Sequence, residues 1–262
     1  MRPHLAASPY AAPTYPNVRR IDVSDLKYAL AKGREDFLTM PTALFFLALI
    51  YPIVGIGLVV GTPLPLIFPL MSGFALVGPF ASIGLYEISR QRELGLDLSW
   101  KRVFGVARSP AIISILSLGL VLLVIFACWL LTARLLYTWL IGSAPSQSFP
   151  HFLATILGTL QGWKLIALGI PAGFAFAVVV LSISVVSFPL LLDRNVGVRL
   201  AIETSVKAVV KNPVTMATWG GIIAAGLAIG FLLLFVGLAV TVPVLGHATW
   251  HLYRRVVEPA ET

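Results

Sequence analysis

Residues 214–253 run for some 40 positions without one Asp, Glu, Lys or Arg. That feature constrains the chain more than any other. A single helix of that length would be about 60 Å long, twice the roughly 30 Å hydrocarbon core of a bilayer. Two helices joined by a turn near Phe235 to Ala239 fit better. Comparable apolar blocks occupy 41–86, 110–133 and 165–192. The chain is 58% hydrophobic and 11% charged, with mean hydropathy +0.92. A soluble domain carries about 25% charged residues, so this composition cannot cover a water-facing surface. No short alternation of polar and apolar residues suggests a β-barrel. The expected class is an all-α membrane protein.

The expected organisation is a cytosolic tail over 1–20, one membrane domain over 21–257, and a short cytosolic tail over 258–262. Six transmembrane helices are expected, at about 41–60, 66–86, 110–138, 165–192, 214–234 and 237–253. With these spans, 17 of the 19 Lys and Arg residues and all 11 acids fall on one side. Arg134 and Lys164 are the exceptions. The positive-inside rule puts the 17-charge side, and both termini, in the cytoplasm. The net charge of +8 then reflects topology and attraction to anionic headgroups. No nucleic-acid partner is expected. The N-terminal tail has no apolar core of the kind a cleaved signal peptide needs. The single cysteine, Cys128, excludes an intrachain disulfide.

Three cytosolic segments repeat one plan. "DVSDLKYALAKGREDFLTMP" places Val23, Leu26, Leu30, Gly33 and Phe37 on one stripe, with charges largely off it. "LSWKRVFGVARSP" groups Trp100, Val103, Phe104 and Ala107. "VRLAIETSVKAVVKNP" groups Val198, Ile202, Val206 and Val209 against Arg199, Glu203, Lys207 and Lys211. Each reads as an amphipathic helix at headgroup level. Each ends at a proline (Pro41, Pro110, Pro213), which stops one helix and starts the next; Ser109 or Asn212 is placed to cap it. The unit is an interfacial helix followed by a hairpin, repeated three times. The insert "SFPHFLATILGTLQGWK" reads as a short outer-surface helix, with a re-entrant loop as the alternative.

Small residues mark close helix approach: Gly57 and Gly61, Gly169 and Gly173, Gly226 and Gly230 each fit a G-x-x-x-G spacing. Trp100, Trp163, Trp250, Tyr253, Arg254 and Arg255 read as interfacial anchors. His247 and His251 lie one turn apart, at the spacing of paired metal ligands. A closed metal site needs more ligands, and Glu87 or Asp193 would serve only if helix ends converge. Three readings stay open for the pair: an interfacial span end, histidines bonded to backbone or a partner, and a weak metal or haem site. The aromatic–arginine run beside them favours the first. No metal, cofactor or catalytic residue is expected. Serines such as Ser182, Ser184 and Ser187 lack a paired base, and no nucleotide-binding or hydrolase motif is present.

The stretches "DLKYALAKGREDFLTMP", "GPFASIGLYEISRQRELG" and "LGHATWHLYRR" together resemble a bacterial family of predicted integral membrane proteins, domain of unknown function 2189. The resemblance runs over about residues 20–257. It implies a multi-span protein of the bacterial inner (cytoplasmic) membrane and supplies no activity. Two functions are then expected in order: a non-catalytic scaffold or assembly protein with a membrane-protein partner, and a permease or channel for an uncharged or lipid-like substrate.

Overall fold

The computed structural model describes residues 16–39, 62–97, 105–143, 148–233 and 236–259. The first expected span, Gly57, Gly61 and Trp100 lie outside them. Among the described residues the chain is all-helical. Its helices are α1 (Val23–Leu38), α2 (Leu64–Ala81), α3 (Ile83–Glu93), α4 (Ile112–Leu140), α5 (Phe149–Gly158), α6 (Leu160–Ser184), α7 (Ser187–Asp193), α8 (Val198–Lys211), α9 (Pro213–Leu232) and α10 (Leu238–Val256), with a 3-10 turn at Val106–Arg108.

Local chemistry sets the ends. Asp22 Oδ1 accepts from Ser24 N (2.7 Å) and Asp25 N (3.3 Å), while Asp25 Oδ2 accepts from Asp22 N (3.0 Å). This reciprocal cap satisfies otherwise orphaned donors at the start of α1. Thr159 Oγ1 accepts from Gly162 N (3.0 Å) and starts α6 there, earlier than the expected Leu165. Trp163 thus sits in the first turn of α6, not on the short surface helix α5. Proline at 189 has no N–H to give the carbonyl of Val185, and the α6–α7 break falls at Val185–Val186. Val186 N–H, freed by that break, donates to Ser205 Oγ of α8 (3.2 Å). Pro213 opens α9. Asn212 does not cap it: its Oδ1 accepts from Ile21 N (2.9 Å) and its Nδ2 donates to Arg19 O (3.0 Å), tying α9 to the N-terminal segment.

Among the described residues, three helical stretches are long and apolar enough to cross a membrane: Ile112–Leu140, Leu160–Asp193 and Pro213–Leu232. Their outward faces carry exposed apolar side chains, among them Ile113, Leu116, Leu120 and Val124 on α4 and Ile170 and Phe174 on α6. The charge-free block 214–253 forms α9 and α10. α10 is not among the three; its last turns carry His247, His251, Arg254 and Arg255, which lower its hydropathy.

Burial separates two tiers. In the first, α2, α4 and α6 pack on one another: Trp129 Nε1 donates to Pro69 O (2.8 Å), and the Trp129 and Phe176 rings lie 5.6 Å apart. The second is a cap built from α1, α3, α7, α8, the start of α9 and the end of α10. Its core includes the buried side chains of Leu26, Tyr86, Phe188, Trp219, Trp250 and Tyr253. The helices α1 and α10 form the most extensive pair. The apolar stripe of α1 is therefore not laid on headgroups: Leu26, Gly33 and Phe37 are buried, and Gly33 lies directly on α10. On α8 the buried face is Ala201, Thr204, Ser205 and Ala208, while Val206 and Val210 stay exposed.

Candidate functional site

The densest polar cluster joins three helices inside the cap. From α1 comes Asp36, one turn from the helix end. Ser89 and Arg92, three apart on α3, share a face, as do His247 and His251, four apart on α10. Asp36 is only 3% exposed. Its Oδ2 accepts from Ser89 Oγ (2.5 Å) and from His251 Nε2 (2.8 Å). Its Oδ1 accepts from Arg92. His247 Nδ1 stands 2.8 Å from Ser89 Oγ and 4.0 Å from Asp36 Oδ2. A carboxylate only accepts, and serine has one proton to give. Ser89 gives it to Asp36, so the Nδ1 of His247 carries the proton that reaches Ser89 Oγ.

Burial pushes the Asp36 carboxyl up, but hydrogen bonds from His251 and Ser89 outweigh it and hold the group below its usual range. Burial pulls the His247 imidazole down to about 4, so this ring is neutral at pH 7. The result is a buried anion with Arg92 on one oxygen and His251 and Ser89 on the other.

The same end of α10 grips three helices. Arg255 Nε donates to Asp25 Oδ1 of α1 (2.6 Å) and its guanidinium lies over the Tyr28 ring. Trp250 Nε1 donates to Glu93 Oε2 of α3 (2.9 Å), and Arg254 Nε to Glu93 Oε1 (2.8 Å). Tyr253 donates its hydroxyl to Asp193 Oδ2 of α7 (2.6 Å). A cleft of about 380 Å³ opens beside the cluster, bordered by Tyr28, Lys32, Glu35, Asp36, Arg92 and His251 among others.

The arrangement does not suit nucleophilic hydrolysis. A nucleophilic serine must be reachable and must hand its proton to histidine. Ser89 is 0% exposed and gives its proton to a carboxylate. Among the described residues, no three His, Cys, Asp or Glu side chains are grouped to hold a metal ion. What the cluster does chemically is fasten α1 and α3 to α10.

Several sequence readings change here. Trp250 and Tyr253 are each 1% exposed: they are cap core, not interfacial anchors, because α1, α3 and α7 close around the last turns of α10. Arg254 and Arg255 are engaged in ion pairs. Trp163 is exposed, its indole donating to Leu157 O (3.0 Å). The histidines meet a protein partner, and the acid that meets them is Asp36, not Glu87 or Asp193. A Cβ at Gly226 would stand 3.1 Å from Leu245 Cδ1, one at Gly230 would meet Leu238 and Thr241 of α10, and one at Gly173 would stand 3.0 Å from the Trp129 ring. Among the described residues, nothing lies within 4 Å of where a Cβ at Gly169 would stand.

Residues 67–193 match a family model whose description reads "Predicted integral membrane protein (DUF2189)". No curated protein and no solved structure matches the chain. The matched stretch is narrower than the resemblance over 20–257. It takes in Ser89 and Arg92 but not Asp36, His247 or His251, so two of the three helices that build the cluster lie outside it. Over residues 67–193, just under half of its length, this chain resembles the DUF2189 family of predicted integral membrane proteins.

Proposed function

We propose that this chain is a multi-pass protein of the bacterial cytoplasmic membrane that works through contacts, as a scaffold or assembly protein, without catalysing a reaction. One observation carries the reading: the polar groups of the cap are spent on joining helices to one another, while the apolar helices are nearly free of charge. α2 and α9 contain no Asp, Glu, Lys or Arg, α4 only Arg134, and α6 only Lys164. Ionisable groups inside membranes mark substrate and ion paths, and this distribution offers none. The cleft lies in the cap, on the basic side. That side faces the cytoplasm under the positive-inside rule, with anionic headgroups as its lipid partner. The exposed Val206 and Val210 of α8 are the apolar surface offered to the headgroup region. The sequence pattern supports three hairpin units, 41–86, 110–192 and 214–253.

The test is crosslinking in intact membranes followed by purification of the full chain in mild detergent. A membrane-protein partner in fixed stoichiometry is expected; repeated recovery of the chain alone would overturn the scaffold reading.

A further inference from the structure

Each arm of the α9–α10 hairpin is long enough to reach most of the way across a bilayer core, yet its neighbours do not leave it room. We propose that it is re-entrant: it enters from the basic side and ends with its apolar tip among the acyl chains of that same leaflet.

Helix α1 fixes the level of α10 relative to the bilayer. Gly33 of α1 lies against α10 at Val244 and Ala248: a Cβ there would stand 2.7 Å from Val244 O and 2.6 Å from Ala248 N. At the other end of the same pair, Asp25 meets Arg255. The helix α1 therefore runs antiparallel to α10 and covers it from about Val244 to its end. On its outer side α1 exposes Lys27, Arg34 and Glu35. Charged side chains at the bilayer centre are costly, by about 3 kcal/mol each on insertion scales, so this part of α10 stands at or above the headgroups. Below it remain only Leu238 to Val244, about 10 Å of helix at 1.5 Å per residue. The hydrocarbon core is about 30 Å thick.

Helix α9 gives the same depth independently. Its first turns belong to the cap: Thr215 Oγ1 donates to Ile21 O (3.0 Å), and Met216 and Trp219 are buried there. Gly226 faces Leu245 and Gly230 faces Leu238 and Thr241, so only the last two turns of α9 reach below Val244. By contrast α4, with 29 residues, is about 43 Å long at 1.5 Å per residue and passes the whole core.

The tip is chemically suited to hydrocarbon. Ile229, Leu232, Leu233, Val236 and Val240 are exposed, Leu232 by 82%. The far-side link "GSAPSQS" at 142–148 is polar, whereas "GFLLLFVGLAV" at 230–240 has no polar side chain. The described backbone beside the turn is bonded within the hairpin: Leu233 N donates to Ile229 O (3.1 Å), Val236 N to Leu233 O (3.1 Å) and Thr241 N to Gly237 O (2.9 Å). Hydrocarbon requires that.

The test uses the full chain in lipid nanodiscs and in sealed vesicles, on a Cys128→Ser background, with Val236→Cys at the tip, Val240→Cys as a second tip site, and Ser143→Cys as the far-side reference. A membrane-impermeant maleimide added to each side in turn is expected to label Ser143→Cys from one side only and to lose labelling at both tip sites from either side. A nitroxide at 236 is expected to be relaxed by oxygen, not by a water-soluble nickel chelate, at a depth within the basic-side leaflet. Labelling of Val236→Cys from the side that labels Ser143→Cys would show a full crossing and overturn the proposal. So would labelling from the basic side, a nitroxide depth at the far interface, or oxygen exclusion from 236 by a partner helix.

Discussion

Asp36 Oδ2 and His251 Nε2 are 2.8 Å apart, although 215 positions separate the two residues in the chain. That contact closes the first helix of the chain on its last. It shares its carboxylate with Ser89 and Arg92 of α3, so one buried anion fixes three helices.

Asp36→Asn keeps the shape and removes the charge. Arg92 then has no full charge against it, and the amide can satisfy the surrounding donors only in part. Breaking a buried pair from one side costs about 3–5 kcal/mol; with Arg92 a quarter exposed, the lower end is expected. Ser89→Ala is milder, about 1–3 kcal/mol, the cost of leaving the His247 Nδ1–H buried without an acceptor. Thermal unfolding in detergent, read by circular dichroism, should rank Asp36→Asn below Ser89→Ala and both below the parent. Equal midpoints for all three would show that the cluster contributes nothing to the cap.

Acid should loosen the same cap. His247 is held near 4 when folded, against an ordinary value of 6.5. Between those values the unfolded chain binds a proton that the folded chain refuses, so stability falls as the pH drops through that window. Asp36 acts in the same direction at lower pH. Its folded value is below the ordinary 3.8, so its contribution is full above that value and is lost as the pH falls through the folded one. The melting midpoint should decline from pH 7 to 4.5, and His247→Gln should flatten that decline. An unchanged slope in His247→Gln would assign the pH dependence elsewhere.

Much of the fold is legible from the chain because lipid-crossing segments carry so strong a signal. The charge-free blocks, the helix start at Pro213, and two helices in 214–253 all follow from sequence. The cluster was not legible for a physical reason. An amphipathic stripe says that a face is buried, not whether lipid or another helix buries it. One sign was present: Asp25 and Asp36 fall on the buried face of α1. A carboxylate on an otherwise apolar face needs a protein partner, whereas a headgroup-facing helix would carry lysine there. The partners themselves, Ser89 and His251, are too distant in sequence for spacing to reveal.

Gly33 and Gly169 both sit in helices, and only one is under pressure. A Cβ at Gly33 would meet backbone atoms of α10, which cannot swing aside. Gly33→Ala should separate α1 from α10 and destabilise by about 1–3 kcal/mol, the usual cost of overpacking. Among the described residues Gly169→Ala meets nothing within 4 Å, and it gains helix propensity, so it should be neutral or stabilising by up to about 1 kcal/mol. Unfolding midpoints of the two variants, measured side by side, should move in opposite directions or differ clearly in size. A loss at Gly169→Ala equal to that at Gly33→Ala would mean a packing surface on α6 that the isolated chain does not display.

Trp163 and Trp250 are the same residue type in opposite surroundings. Trp163 is exposed at the start of α6, while Trp250 lies in the cap with its indole on Glu93 and its ring 5.5 Å from that of Tyr253. Removing a fully buried tryptophan costs about 3–5 kcal/mol; removing an exposed one changes stability by about 0.5 kcal/mol or less. Trp250→Ala is therefore expected to unfold the cap first, seen as faster protease cleavage within α1 and α10 while α4 and α6 stay protected. Trp163→Ala should leave that cleavage pattern unchanged. If Trp163→Ala instead accelerated cleavage and Trp250→Ala did not, the exposed tryptophan, not the one in the cap, would be holding the cap in place, and the division into two tiers would fail.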